Sequence, residues 1–173
     1  MWVSDRGGPE ERFDHLILGV PPGEVLGVLT DASPRETARF AAWRTRRIHT
    51  LIHDDDGPYV RRGATVRTEF DVFRHPPGYN ARLDRLCRLA SDQPRYGLSF
   101  GLDAEIDPAR VLHRQAHDVP AYTVAALSSR AEIQEHQGDR RTWFVGAWLG
   151  DGLHEGAISS ADAVAARLGG DRV

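Results

Sequence analysis

Residues 142–168 constrain the fold most. Trp143-Phe144-Val145-Gly146-Ala147-Trp148 is a short apolar run suited to a buried strand. A glycine-rich turn follows, and then a helix whose first turn carries Gly156-Ala157. In that helix Ala157, Ile158, Ala161, Val164, Ala165 and Leu168 recur at the spacing of one buried stripe, with Gly169-Gly170 as its stop. A strand, a glycine turn and a helix in sequence bring a helix start close to a strand end. A helix start carries unpaired N–H groups and partial positive charge, and glycines let a ligand approach them. The unit therefore suits an electron-rich ring or a phosphate. The same glycines also suit plain packing, and both readings stand at this point.

The rest of the chain reads as short elements. Phe13 to Val20 is a buried strand, stopped by Pro21-Pro22-Gly23. Ser33-Pro34-Arg35-Glu36 opens a helix to about Arg44, with Ser33 as N-cap and Glu36 closing a capping box. Ile48 to His53 is a strand ended by an acidic turn. Ala64 to Phe73 alternates with period two, as a half-exposed antiparallel strand does. Leu83, Leu86, Cys87 and Ala90 predict a helix from Asn80 to Ser91. Tyr96 to Leu102 and Val111 to His117 predict two further strands, pairing with the 64–73 strand. A helix runs from Pro120 to about Gln137, stopped by Gly138-Asp139. The expected class is α+β, with several antiparallel strands in the middle.

Composition removes several functions. The 22 basic residues are all arginine, so no lysine can form a Schiff base or act as a base. A net charge of −3 gives no general attraction to nucleic acid or anionic membrane. Cys87 is the only cysteine, which excludes an internal disulfide and cysteine-ligated clusters and fits a reducing cytoplasm. The polar first residues do not read as a signal peptide. No apolar run approaches the roughly 20 residues that span a bilayer.

Geometry limits the other constellations. His49 and His53, and His113 and His117, have i,i+4 spacing that on a helix would suit a metal. On strands that spacing separates the rings by roughly 13 Å, so no metal site is expected. Ser99, Ser159 or Ser160 with His154 could suggest a hydrolase, but no G-x-S-x-G elbow is present.

The C-terminal segment resembles the flavin-binding signature of the FAD-dependent amine-oxidase superfamily. The counterparts are Val145-Gly146-Ala147 and Glu155-Gly156-Ala157-Ile158-Ser159-Ser160-Ala161. A bacterial FAD/NAD-binding subgroup is closer still, through Gly146-Ala147-Trp148 and Gly152-Leu153-His154-Glu155-Gly156. Phe13-Asp14, Leu16-Ile17-Leu18 and Val20-Pro21 resemble the family strand that returns to the FAD domain. Asp103 to Val111 and His117 to Tyr122 also look like the subgroup. The resemblance implies a partial FAD/NAD(P)-binding α/β fold with a mixed, mainly antiparallel substrate-domain sheet. It divides the chain into a returning segment of the FAD domain (1–45), substrate-domain strands and helix (46–122) and a flavin-contacting strand–turn–helix (123–173).

The implied cofactor is FAD, held by Gly146, Ala147, Trp148, Gly152, His154, Glu155, Gly156 and Ala157, with Trp148 and His154 beside the ring and the substrate. The N–H groups near Gly156 and Ala157 would face the flavin pyrimidine edge. Ala147 replaces the acid common in the wider family, and no lysine is available near the flavin, which favours generic flavin redox chemistry over amine oxidation. The G-x-G-x-x-G loop of a dinucleotide-binding half is missing, since Gly97-Leu98-Ser99-Phe100-Gly101 lacks the pattern. The expectation is weak or no FAD binding by the chain alone. Completion would come from a protein partner carrying that loop, with self-association as another route. A small or lipid-like substrate would then give hydride to FAD. The alternative is a catalytically silent interaction subunit or a truncated remnant.

Overall fold

A computed structural model describes residues 2–4, 8–90 and 95–169. The fold is α+β with mainly antiparallel strands. Two compact units are present: residues 1–46 with 120–173, and residues 47–119.

In the first unit, β1 (Trp2–Val3) and β2 (Glu11–Arg12) form a small antiparallel pair, and β3 (Leu16–Leu18) follows. Helix α1 (Val25–Val28) precedes α2 (Pro34–Phe40). The capping box at Ser33 forms as expected: Ser33 N–H donates to Glu36 Oε2 at 2.7 Å, and Glu36 N–H donates to Ser33 Oγ at 3.2 Å. This helix stops at Phe40, short of Arg44.

The second unit holds a five-stranded sheet. Its strands are β4 (Thr45–His53), β5 (Phe70–Arg74), β6 (Pro77–Arg82), β7 (Gly97–Phe100) and β8 (Val111–Pro120), in the order β5-β6-β7-β4-β8. Two four-residue helices, α3 (Gly57–Val60) and α4 (Leu83–Leu86), connect them.

Several expectations about this region are corrected. The alternating stretch is a strand only from Phe70; Thr68 N–H and Oγ instead bond the Asp71 carboxylate, which holds residues 64–69 in an irregular loop. Asn80 to Arg82 are strand, not helix, and the helix beyond them has one turn; Ser91 lies outside the described residues. Strand β7 lies between β6 and β4, and β8 is an edge strand beside β4, so neither pairs with β5.

The missed strand β6 has a physical reason. It carries Pro77, Gly78 and Asn80, all poor strand formers. Gly78 is required there, because a Cβ would lie 2.5 Å from the Phe100 carbonyl oxygen. Tyr79 stacks on its cross-strand partner Phe100 at 5.3 Å. Asn80 belongs to a buried polar network in place of an apolar core.

In that network Asn80 Nδ2 donates to the Tyr59 hydroxyl at 2.9 Å, which donates to Asp71 Oδ2 at 2.7 Å. Ser99 Oγ donates to Asn80 Oδ1 at 2.9 Å, and His53 Nε2 lies 2.8 Å from Ser99 Oγ and 3.2 Å from Asn80 Oδ1. Burial, with the bond to Asp71, pushes Tyr59 up to about 12. The apolar part of this core is small: Leu51, Leu102 and Ile106.

The chain returns to the first unit through α5 (Val124–Glu135), β9 (Thr142–Phe144) and α6 (His154–Arg167). Helix α5 starts later than predicted. Pro120 ends β8, Ala121 N–H donates to Arg44 O, and Thr123 Oγ1 caps the helix at Ala126 N–H. Strand β9 pairs with β3 in parallel, Leu16 opposite Thr142 and Leu18 opposite Phe144. Val145 to Trp148 lie beyond the strand, and Ala147–Leu149 form a 3-10 turn. Of the glycine pair expected to stop α6, Gly169 has a left-handed φ of 84°, and Gly170 lies outside the described residues. The core gathers Leu18, Val25, Phe40, Trp43, Ile133, Phe144, Trp148 and Leu149.

The two edges of the β3–β9 pair differ. The side chain of Gln137 mimics a neighbouring strand: its Oε1 accepts from Phe144 N–H at 2.8 Å, and its Nε2 donates to Phe144 O at 2.6 Å. Gly138 N–H donates to Thr142 O at 3.0 Å. The outer edge of β9 is thus closed, while β3 has no strand on its other side among the described residues.

Two outcomes follow. Phe144 is buried, so Gln137→Ala leaves its N–H and C=O unpaired and costs about 2–6 kcal/mol in urea denaturation, at about 1–3 kcal/mol per buried group; an unchanged midpoint would contradict the closed edge. Burial pushes His53 below its ordinary value of 6.5. The folded state therefore holds the neutral ring, and its contribution is full above pH 6.5 and is lost as pH falls through the depressed folded value. Stability drops from pH 7.5 to pH 5.5, and His53→Gln flattens that slope.

Candidate functional site

The glycine turn after β9 is built by its own chain. Gly146 adopts φ 145°, and a Cβ there would meet Trp148 Nε1 at 2.7 Å, so the position is closed to other residues. Gly146 N–H donates to Ser160 Oγ at 2.9 Å, and Ser160 Oγ lies 3.2 Å from Gly146 O. The Ala147 carbonyl accepts from Gly150 and Gly152 N–H. Gly150 allows a close backbone crossing, since a Cβ there would stand 2.7 Å from Gly156 Cα.

The helix start is occupied. Asp151 Oδ1 accepts from Leu153 N–H at 2.8 Å and from Gly156 N–H at 3.0 Å. A carboxylate suits the positive end of α6. Ala157 N–H donates to Leu153 O. The amides of Gly156 and Ala157, expected to face a ligand, are therefore spent inside the chain. Helix α6 begins at His154, two residues earlier than the predicted Gly-Ala turn, so the open first-turn amides are those of His154 and Glu155. Neither has an acceptor among the described residues. The side chains of His154 and Glu155 are exposed. Asp151 was missed because its cap acts across an irregular loop, without the S/T-x-x-E spacing.

Trp148 is buried, at 4% exposure, against Trp43 (5.2 Å between centroids) and Phe40 (6.1 Å). It is a core residue with one anomaly: its Nε1–H is buried without an acceptor. Such a donor is costly to leave unmade. It lies beside the bare Gly146 Cα. Gly146, Ala147 and Gly152 are partly exposed. The set open to solvent is smaller than the sequence suggested: the Gly146 surface and the His154 and Glu155 amides are open, and the Gly156 and Ala157 amides and the Trp148 indole N–H are not.

The histidine pairs scatter. His49 Nδ1 contacts Asp103 Oδ1 at 3.1 Å, His117 Nε2 contacts Thr50 Oγ1 at 2.8 Å, and His53 is sealed in its network. No group of three metal-ligating side chains exists among the described residues. The histidine that meets Ser99 is His53, not His154. His53 Nδ1 accepts from Asp55 N–H at 3.1 Å, so the neutral ring carries its proton on Nε2 and cannot take one from Ser99. Both residues are about fully buried, which removes them from substrate. Ser160 serves the Gly146 turn. Among the described residues no helix is long and apolar enough to cross a membrane.

No protein-family model matches the chain, and no curated protein matches it in sequence. Among solved structures, the fold is similar to a crystal structure from Exiguobacterium sp. 255-15, of a protein provisionally named protoporphyrinogen oxidase. The TM-score is 0.62 at 14% identity, over 96% of this chain. The chain spans only 43% of the length of that neighbour. The likeness establishes a shared fold over nearly all of this chain.

Proposed function

We propose that the chain is the C-terminal half of a flavin-dependent oxidoreductase of amine-oxidase-like type. It takes part in hydride transfer from a small or lipid-like substrate to FAD, once a dinucleotide-binding half completes the sheet. The observation that carries this reading is the parallel β3–β9 pair, with one closed edge, one open edge and a glycine turn at its end. Two parallel strands do not make a stable sheet alone. A groove of about 470 Å³ beside the pair is lined by Ile17, Val145, Val164 and Leu168, and Ile17 is half exposed. The neighbour of similar fold has more than half its length beyond the matched region, room for the missing strands. In this reading residues 1–45 and 123–173 belong to the FAD domain, and 46–122 to the substrate side.

FAD supplies the redox chemistry when bound. The chain's own residues position it. Gly146, Ala147 and Gly152 permit close approach, and the His154 and Glu155 amides add first-turn donors. Trp148 is a positioning residue, and the exposed His154 ring is the one free to meet substrate. The lone, exposed Cys87 is in keeping with a reducing compartment such as the cytoplasm. One observation favours a second reading. Asp151 already neutralises the helix start, as expected of an interaction subunit that has kept the fold without the chemistry.

The two readings separate on co-purification with the product of an adjoining coding segment that carries G-x-G-x-x-G. The flavin reading requires such a segment and a yellow complex. A colourless complex in excess FAD, or no such segment, overturns it.

A further inference from the structure

Arg130 is an arginine without a counter-charge. Among the described residues, the other arginines shielded from solvent each face a carboxylate: Arg39 faces Glu132, Arg67 faces Asp56 and Arg82 faces Asp84. Arg130 is partly buried and makes no hydrogen bond or ion pair with any described residue, and its Nε is buried without an acceptor. Its guanidinium instead lies over two rings, 5.4 Å from the Tyr122 centroid and 6.0 Å from that of Trp43. Trp43 is fixed by its Nε1–H bond to Ser129 Oγ at 2.9 Å, so one face of the cation is walled by a rigid aromatic.

The surroundings are apolar. Leu127, one turn before Arg130 on α5, is 42% exposed, and Tyr122 is 46% exposed. The Tyr122 hydroxyl approaches the glycine turn, 3.1 Å from where a Cβ of Gly152 would stand, and Leu153 beyond it is exposed. The nearby acids are committed elsewhere: Glu132 to Arg39, Asp151 to the start of α6. A guanidinium with unused donors, beside the exposed Tyr122 and Leu127, matches an anion carried on an apolar body.

We propose that Arg130, with Tyr122 and Leu127, binds the carboxylate of an amphipathic monoanion. The carboxylate pairs with the guanidinium, and the apolar body lies along Leu127 and the Tyr122 ring. This site is separate from the flavin reading and stands if that reading fails.

Calorimetry on the full chain tests it with octanoate, and with octanol and acetate as probes of the tail and the charge alone. Octanoate binds saturably, and octanol and acetate bind about tenfold weaker or more, the loss expected when a charge-assisted hydrogen bond or the buried tail is removed. Added salt weakens octanoate. Arg130→Met, which keeps the aliphatic stem and breaks no hydrogen bond, removes the difference between octanoate and octanol. Arg130→Lys retains part of it, and so keeps the test readable should Arg130→Met unfold. Arg141→Met, on an exposed arginine, leaves binding unchanged. Equal binding of octanol and octanoate, octanoate binding indifferent to Arg130→Met and Arg130→Lys, or no saturable octanoate binding each overturns the proposal.

Discussion

The parallel pairing of β3 with β9 is the constraint on which the first unit depends. It joins the two ends of the chain across the whole second unit and α5. Three residues on each strand are enough only because both neighbours help: Val145 N–H continues the ladder to Leu18 O, and Gln137 supplies the missing strand on the far side. Everything near the candidate site is placed by this pairing. Gly146 follows β9 directly, Ser160 ties that turn to α6, and the turn delivers Trp148 into the aromatic core. With the β9 edge closed, the open edge of the pair among the described residues is that of β3.

Local signals in the sequence were read correctly where the interaction itself is local. Ser33 and Glu36 cap α2 within four residues, and the capping box needs nothing distant. The apolar spacing of α6 marked its helix, yet the stripe is not buried as expected: Val164 alone of it is, while Ile158, Ala161, Ala165 and Leu168 are exposed. Strand β6 was unreadable because its role is set by residues far away. Gly78 answers the Phe100 carbonyl, and Asn80 answers Tyr59, Ser99 and His53. A pattern of leucines downstream then imitated a helix. The stretch 64–69 failed in the opposite direction: its alternation was sound, yet Asp71 bonds Thr68 and keeps the preceding loop out of the sheet.

The second unit achieves specificity with few apolar side chains. A buried chain from Asp71 through Tyr59, Asn80 and Ser99 to His53 is fully paired, and such networks rigidify a core only when every member is satisfied. The Asp55 amide completes it by fixing the tautomer of His53. Serine beside histidine is therefore a framework here, and its burial decides that role more firmly than its chemistry does.

At the glycine turn, residue types were legible and their employment was not. Gly146 and Gly156 were candidates for ligand approach, and each meets its own chain within 3 Å of where a Cβ would lie. The amides at Gly156 and Ala157 carry no mark in the sequence of their partners: nothing in the spacing of Asp151 shows it as the cap of Gly156, and the Leu153 carbonyl takes Ala157. What sequence could not reveal at all is which donors end without acceptors. Trp148 Nε1 and Arg130 Nε share one aromatic cluster through Trp43, at 5.2 Å from Trp148 and 6.0 Å from Arg130. Buried donors are rarely left unpaired. Two such donors flank one tryptophan, and neither is among the amides first suspected.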